Sequence, residues 1–64
     1  LYIKKTEITD VYNLYNDDTS IGIAHVPNMK TSLMLQNNIR TDDKYKVNCV
    51  FNKKFNKYIP LNLI

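Results

Sequence analysis

The sequence predicts an α+β, mostly β fold: five short strands, with one helix between the third and the fourth. Three observations carry this expectation. Runs rich in β-branched and aromatic residues recur at residues 1–8, 11–15, 21–26, 45–51 and 58–63, and such residues fit a pleated, half-buried surface. Clusters of Asn, Asp, Ser and Lys separate most of these runs, the densest being the NDDTS of residues 16–20. One segment, residues 29–40, instead spaces apolar side chains four apart, the period of a helix.

In chain order, residues 1–8 alternate Leu1, Ile3 and Lys5 against Tyr2, Lys4 and Thr6. The paired lysines suit an edge strand, where charge discourages unwanted pairing. Thr9-Asp10 ends the run. In residues 11–15, Tyr12 and Leu14 share one face. The Asn-Asp turn then leads into IGIAHV, and a hairpin is predicted over residues 10–26. Gly22 and Ala24 leave one face of its second strand nearly bare, which suits a bulge or a close approach. Pro27 stops the strand, and Asn28 or Thr31 is positioned to cap a helix over residues 29–40. Its predicted stripe is Met29, Leu33, Met34, Leu35 and Ile39, with Lys30, Gln36, Asn37 and Asn38 outward. In the fourth strand Tyr45, Val47, Cys49 and Phe51 form a predicted core face. A turn over residues 52–56 leads to the fifth strand, which Pro60 restricts to an edge or a bulge.

This is the element order of a five-stranded barrel of the oligonucleotide/oligosaccharide-binding (OB) type. The chain has 64 residues, short for such a barrel, so the expectation is a small OB-like partial barrel in a single domain. The alternative is a ββαββ sheet with the helix on one face.

Composition narrows the class further. A content of 44% hydrophobic and 23% charged residues is that of a globular chain. Cys49 is the sole cysteine, so no intrachain disulfide forms, which fits a reducing, cytoplasmic compartment better than secretion. The longest uncharged run is too short and polar to span a bilayer, so no membrane association is expected. Leu1 in place of Met fits one domain of a longer protein. The net charge of +3 is uneven: residues 1–28 carry two lysines against four acids, and residues 29–64 carry seven basic groups against Asp42 and Asp43. A basic half of this kind suits an anionic partner, nucleic acid being the commonest, though a solubilising surface produces the same pattern.

Catalytic patterns are absent. With one glycine the chain holds no phosphate-cradling loop and no nucleotide-binding or nucleophile-elbow motif. Cys49 and His25 form the one conceivable thiol–imidazole pair, but the alternation turns Cys49 toward the core, where cysteine behaves as a small hydrophobe. Asp17-Asp18 and Asp42-Asp43 read as turn formers, and one Cys with one His makes no metal centre. No cofactor or metal is expected. What remains is basic groups interleaved with aromatics: Lys44, Lys46, Lys53, Lys54 and Lys57 among Tyr45, Phe51, Phe55 and Tyr58, with no acid from residue 44 to residue 58. Single-strand sites combine these two parts, cations along the phosphates and aromatic faces under the bases. Phe55 and Tyr58, with Tyr12 or Tyr15, are the aromatics expected to be free for stacking.

Three phrases, DVYNLY (10–15), GIAHVPNMKTS (22–32) and VNCVFNKKFNKYIPL (47–61), resemble the C-terminal portion of capping-enzyme-like or ligase-like nucleotidyltransferase proteins of giant DNA viruses. In that superfamily an OB-type domain follows the nucleotidyl-transfer domain. The lysine-nucleophile motif of the transferase domain is absent, since neither Lys4-Lys5 nor Lys53-Lys54 has the neighbouring Asp-Gly. An acidic insertion between helix and fourth strand is missing as well. The resemblance therefore implies a non-catalytic accessory domain of a viral protein.

Two functional readings follow. In the first, Lys44, Lys46, Lys53, Lys54 and Lys57 contact the phosphates of single-stranded RNA or an RNA end, and Phe55 and Tyr58 stack on bases. In the second, the chain is an assembly module that pairs with a protein partner or a second copy. It would do so through exposed edge strands (residues 1–6 and 58–63) and the apolar end Ile59, Leu61, Leu63 and Ile64.

Overall fold

The alternating runs become five strands: β1 (Tyr2–Lys5), β2 (Tyr12–Asn16), β3 (Thr19–Ile23), β4 (Tyr45–Asn52) and β5 (Lys57–Leu63). The helical period becomes α1 (Met29–Asn38), between β3 and β4. These elements come from a computed structural model that describes residues 1–64. The strands form one antiparallel sheet in the order β3-β2-β1-β4-β5. The sheet curls until its two ends meet, where the His25 N–H donates to the Tyr58 carbonyl at 2.9 Å. The result is the expected small, OB-like partial barrel, and the ββαββ alternative falls.

β1 lies in the middle of the sheet, not at an edge, contrary to expectation. It pairs with β2 through Ile3↔Leu14 and with β4 through Ile3↔Tyr45. Ile3 is fully buried, and that burial outweighs the edge-like character of Lys4 and Lys5, which remain half-buried. The edges that the assembly reading assigned to residues 1–6 are therefore both occupied.

Two irregularities shape the curl. In the β2–β3 hairpin Leu14 faces Gly22 and Tyr15 faces Ser20, so Ile21 is an extra residue. Gly22 adopts φ 118°, a backbone region closed to most side chains. In the β4–β5 hairpin Asn48 faces Asn62 and Cys49 faces Pro60, which leaves Leu61 as the extra residue. Pro60 thus sits beside a bulge on an end strand, where its missing N–H is tolerated, and its ring is fully buried.

Seven apolar residues form the core: Ile3, Tyr12, Leu14, Ala24, Leu35, Ile39 and Val47. Tyr12 is thereby removed from the aromatics expected to be free for stacking. Asn28 caps α1, its Oδ1 accepting from the Thr31 N–H at 3.0 Å, so Thr31 is not the cap. The helix ends at Asn38, two residues earlier than expected, because Ile39 turns extended and enters the core. Its buried face is Ser32, Leu35 and, past its end, Ile39, whereas Met29 and Leu33 face solvent. The expected stripe was therefore rotated. The reason is a polar anchor: the Ser32 Oγ donates to the Asp10 carboxylate at 2.6 Å, and the Gln36 amide donates to the same oxygen at 3.0 Å. These bonds tie the β1–β2 loop to the helix and hold Asp10 below its ordinary carboxylate value, Ser32 contributing most.

Candidate nucleic-acid interface

The β4–β5 turn is built by Asn52. Its Oδ1 accepts from the main-chain N–H groups of Lys54 at 2.9 Å and Phe55 at 3.3 Å, and Asn56 closes the turn at φ 54°. Asparagine is suited to both positions, since it bonds its own backbone and tolerates the left-handed region. No lysine side chain hydrogen-bonds within the turn. Lys53, Lys54 and Lys57 have no carboxylate partner; the chain's ion pairs are Lys5–Asp42 at 4.0 Å and Lys44–Asp18 at 3.3 Å.

Lys44 is thus already engaged. Besides Asp18, its ammonium lies over the Tyr15 ring at 4.4 Å, so it pins the β2–β3 turn to the start of β4. Tyr15, half-buried beneath it, is not a free stacking face. Lys46 is exposed on β4, opposite the face that buries Val47. It stands about 20 Å from Asn52 at some 3.3 Å per residue. The site residues read from the sequence therefore divide: Lys53, Lys54, Phe55, Lys57 and Tyr58 come together at the turn, Lys46 stands apart, and Lys44 is a structural pin.

The aromatics pair across the sheet's closure. Phe55, 52% exposed, lies with its ring centroid 5.1 Å from that of His25, tilted by 33°. Lys54 reaches over the same ring at 5.8 Å. Phe51 and Tyr58 meet edge to face at 5.0 Å. Phe51 was expected in the core but is 42% exposed. β1 pairs only with Tyr45 and Lys46 of β4, so the far half of β4 has β5 alone as a partner. The core thins along this ribbon: Val47 is buried, Cys49 half-buried and Phe51 open. Alternation indicates the face of Phe51 but not the depth of protein above it.

Between this ribbon and β3 runs a cavity of about 320 Å³ lined by Leu14, Ile21, Ile23, Phe51 and Tyr58 on its apolar side and by Gly22, Asn56 and Lys57 otherwise. A larger hollow of about 470 Å³ elsewhere, bounded by Lys4, Lys5, Thr6, Glu7 and Asp42, has no apolar wall. Burial pushes the Cys49 thiol up, away from the reactive thiolate, and the His25 ring lies against that of Phe55. No three His, Cys, Asp or Glu side chains cluster as metal ligands would. No helix is long and apolar enough to cross a membrane.

Fold and surface together define a small OB-like partial barrel with a basic, aromatic hairpin at its closure. An uncharacterized protein of Acanthamoeba polyphaga mimivirus is 37% identical over 68 residues, a match that takes in all of this chain and 21% of that protein. The chain thus spans about a fifth of the length of that viral relative. No family model and no solved structure matches the chain.

Proposed function

We propose that this chain is a non-catalytic, nucleic-acid-binding accessory domain that holds single-stranded RNA or an RNA end at the β4–β5 turn. The observation that carries the reading is the turn itself. Lys53, Lys54 and Lys57 project without ion-pair partners beside the exposed ring of Phe55 and the half-buried ring of Tyr58. Unpaired lysines and exposed aromatics are the two parts of a sequence-tolerant single-strand site. The position also fits, because the loop between the fourth and fifth strands belongs to the ligand surface of OB folds. Lys46 extends the contact along β4. The giant-virus resemblance favours a larger nucleotidyltransferase-like parent. The viral relative, 21% of which the match takes in, favours a longer parent chain without bearing on its activity. The lone Cys49 favours a reducing, cytoplasmic setting. Titrating the chain with a fluorescent single-stranded RNA at two salt concentrations tests the reading. Binding that weakens steeply with salt is expected; no binding at about 50 mM salt sinks it.

A further inference from the structure

The cavity between β3 and the β4–β5 ribbon has a composition that the basic turn alone does not explain. One wall is Phe51 with Tyr58, the other Ile21 with Ile23, and Leu14 forms part of the lining. Ile21, Ile23 and Phe51 remain 38%, 49% and 42% exposed. Asn56 belongs to the lining and its carboxamide makes no hydrogen bond within the chain, and Lys57, also of the lining, has no acid partner. The volume, about 320 Å³, is at the small end of the roughly 300–1,000 Å³ typical of small-ligand sites.

We propose that this seam is a slot for one unpaired base of a bound single strand, with the exposed Phe51 ring, braced edge to face by Tyr58, as its stacking wall. The proposal rests on the nucleic-acid reading and adds to it where the base goes. Charge complementarity selects the occupant: the anionic backbone outside the slot runs over Lys57, Lys54 and Lys53, while the uncharged base enters the apolar part. The Asn56 amide carries both a donor and an acceptor, the pair that reads a base edge. An added peptide strand fits less well, because a pairing bond already joins the two sides, His25 N–H to the Tyr58 carbonyl.

The test compares a short oligouridylate with the same sugar–phosphate backbone lacking its bases, by anisotropy competition, in the native chain and in Phe51→Ala. The base-containing strand should bind the native chain about 5- to 160-fold more tightly than the abasic one, the range expected for stacking one base. In Phe51→Ala that ratio should fall about 5-fold or more, leaving what Phe55 at the turn contributes, and an unchanged ratio in the folded variant overturns the slot. Ile23→Ser, on the opposite wall, provides the same comparison should Phe51→Ala fail to fold. Equal affinities of the native chain for the two strands overturn the slot and leave the phosphate-binding turn standing. No binding of either strand overturns the nucleic-acid reading and the slot with it. A native-chain dimer that dissociates in Phe51→Ala, with no change in the affinity ratio, overturns the slot in favour of a protein partner.

Discussion

Replacing the three turn lysines together, Lys53→Ala/Lys54→Ala/Lys57→Ala, tests the proposed interface most directly. Each phosphate neutralised on a single strand contributes about −0.7 to the slope of log affinity against log salt. Four contacts, these three and Lys46, then give a slope of about −2.8, so raising salt from about 50 to about 200 mM weakens binding roughly 50-fold. In the triple variant Lys46 alone remains, the slope falls to about −0.7, and the same change of salt costs about 2.6-fold. The fold should survive, because the turn is held by Asn52 and the backbone; no lysine ammonium there forms an ion pair. Anisotropy titrations at several salt concentrations, with circular dichroism as the folding control, measure both quantities. A folded triple variant that retains the native slope would refute the assignment of these lysines. An unfolded one would show that the turn's charge is structural.

Three further outcomes follow from the fold. Ile3→Ala, at a fully buried position in the central strand, should cost about 2–5 kcal/mol. That is a large share of the roughly 3–10 kcal/mol expected for a 64-residue chain, so urea denaturation should find the variant partly unfolded in buffer. Gly22→Ala introduces a methyl that meets nothing within 4 Å, so its cost, about 1–3 kcal/mol in a thermal melt, is one of backbone strain at φ 118°. Asp10 has a depressed folded-state value, so its contribution is present above the ordinary value of 3.8 and is lost as pH falls through the folded one. Ser32→Ala should flatten the acid limb of melting temperature against pH, and an unaltered limb would remove the Asp10–Ser32 anchor from the account.

Much of the fold is legible in the chain because it depends on local chemistry. Period-two alternation marks the strands, Asn16, Asp17, Asn52 and Asn56 mark the tight turns, and Asn28 marks the helix start. Each acts through its own or adjacent backbone, so a short window of sequence contains the cause. The basic turn is legible for the same reason, its lysines being neighbours in the chain. Lys44 shows the limit: its partners Asp18 and Tyr15 lie 26 and 29 positions earlier, and only folding brings them together.

The sequence by itself determined the strand and helix types, their order, the two hairpins, the restriction of Pro60 to an edge or a bulge and the clustering of positive charge at the β4–β5 turn. Only the tertiary structure decided that β1 is central, that α1 is rotated so Ser32 rather than Leu33 is buried, and that Phe51 opens onto a cavity beside β3. The division has a physical cause. Periodicity states which side chains share a face. How much protein covers that face depends on which strands become neighbours, and here a pairing of residues 2–3 with residues 45–46 set it.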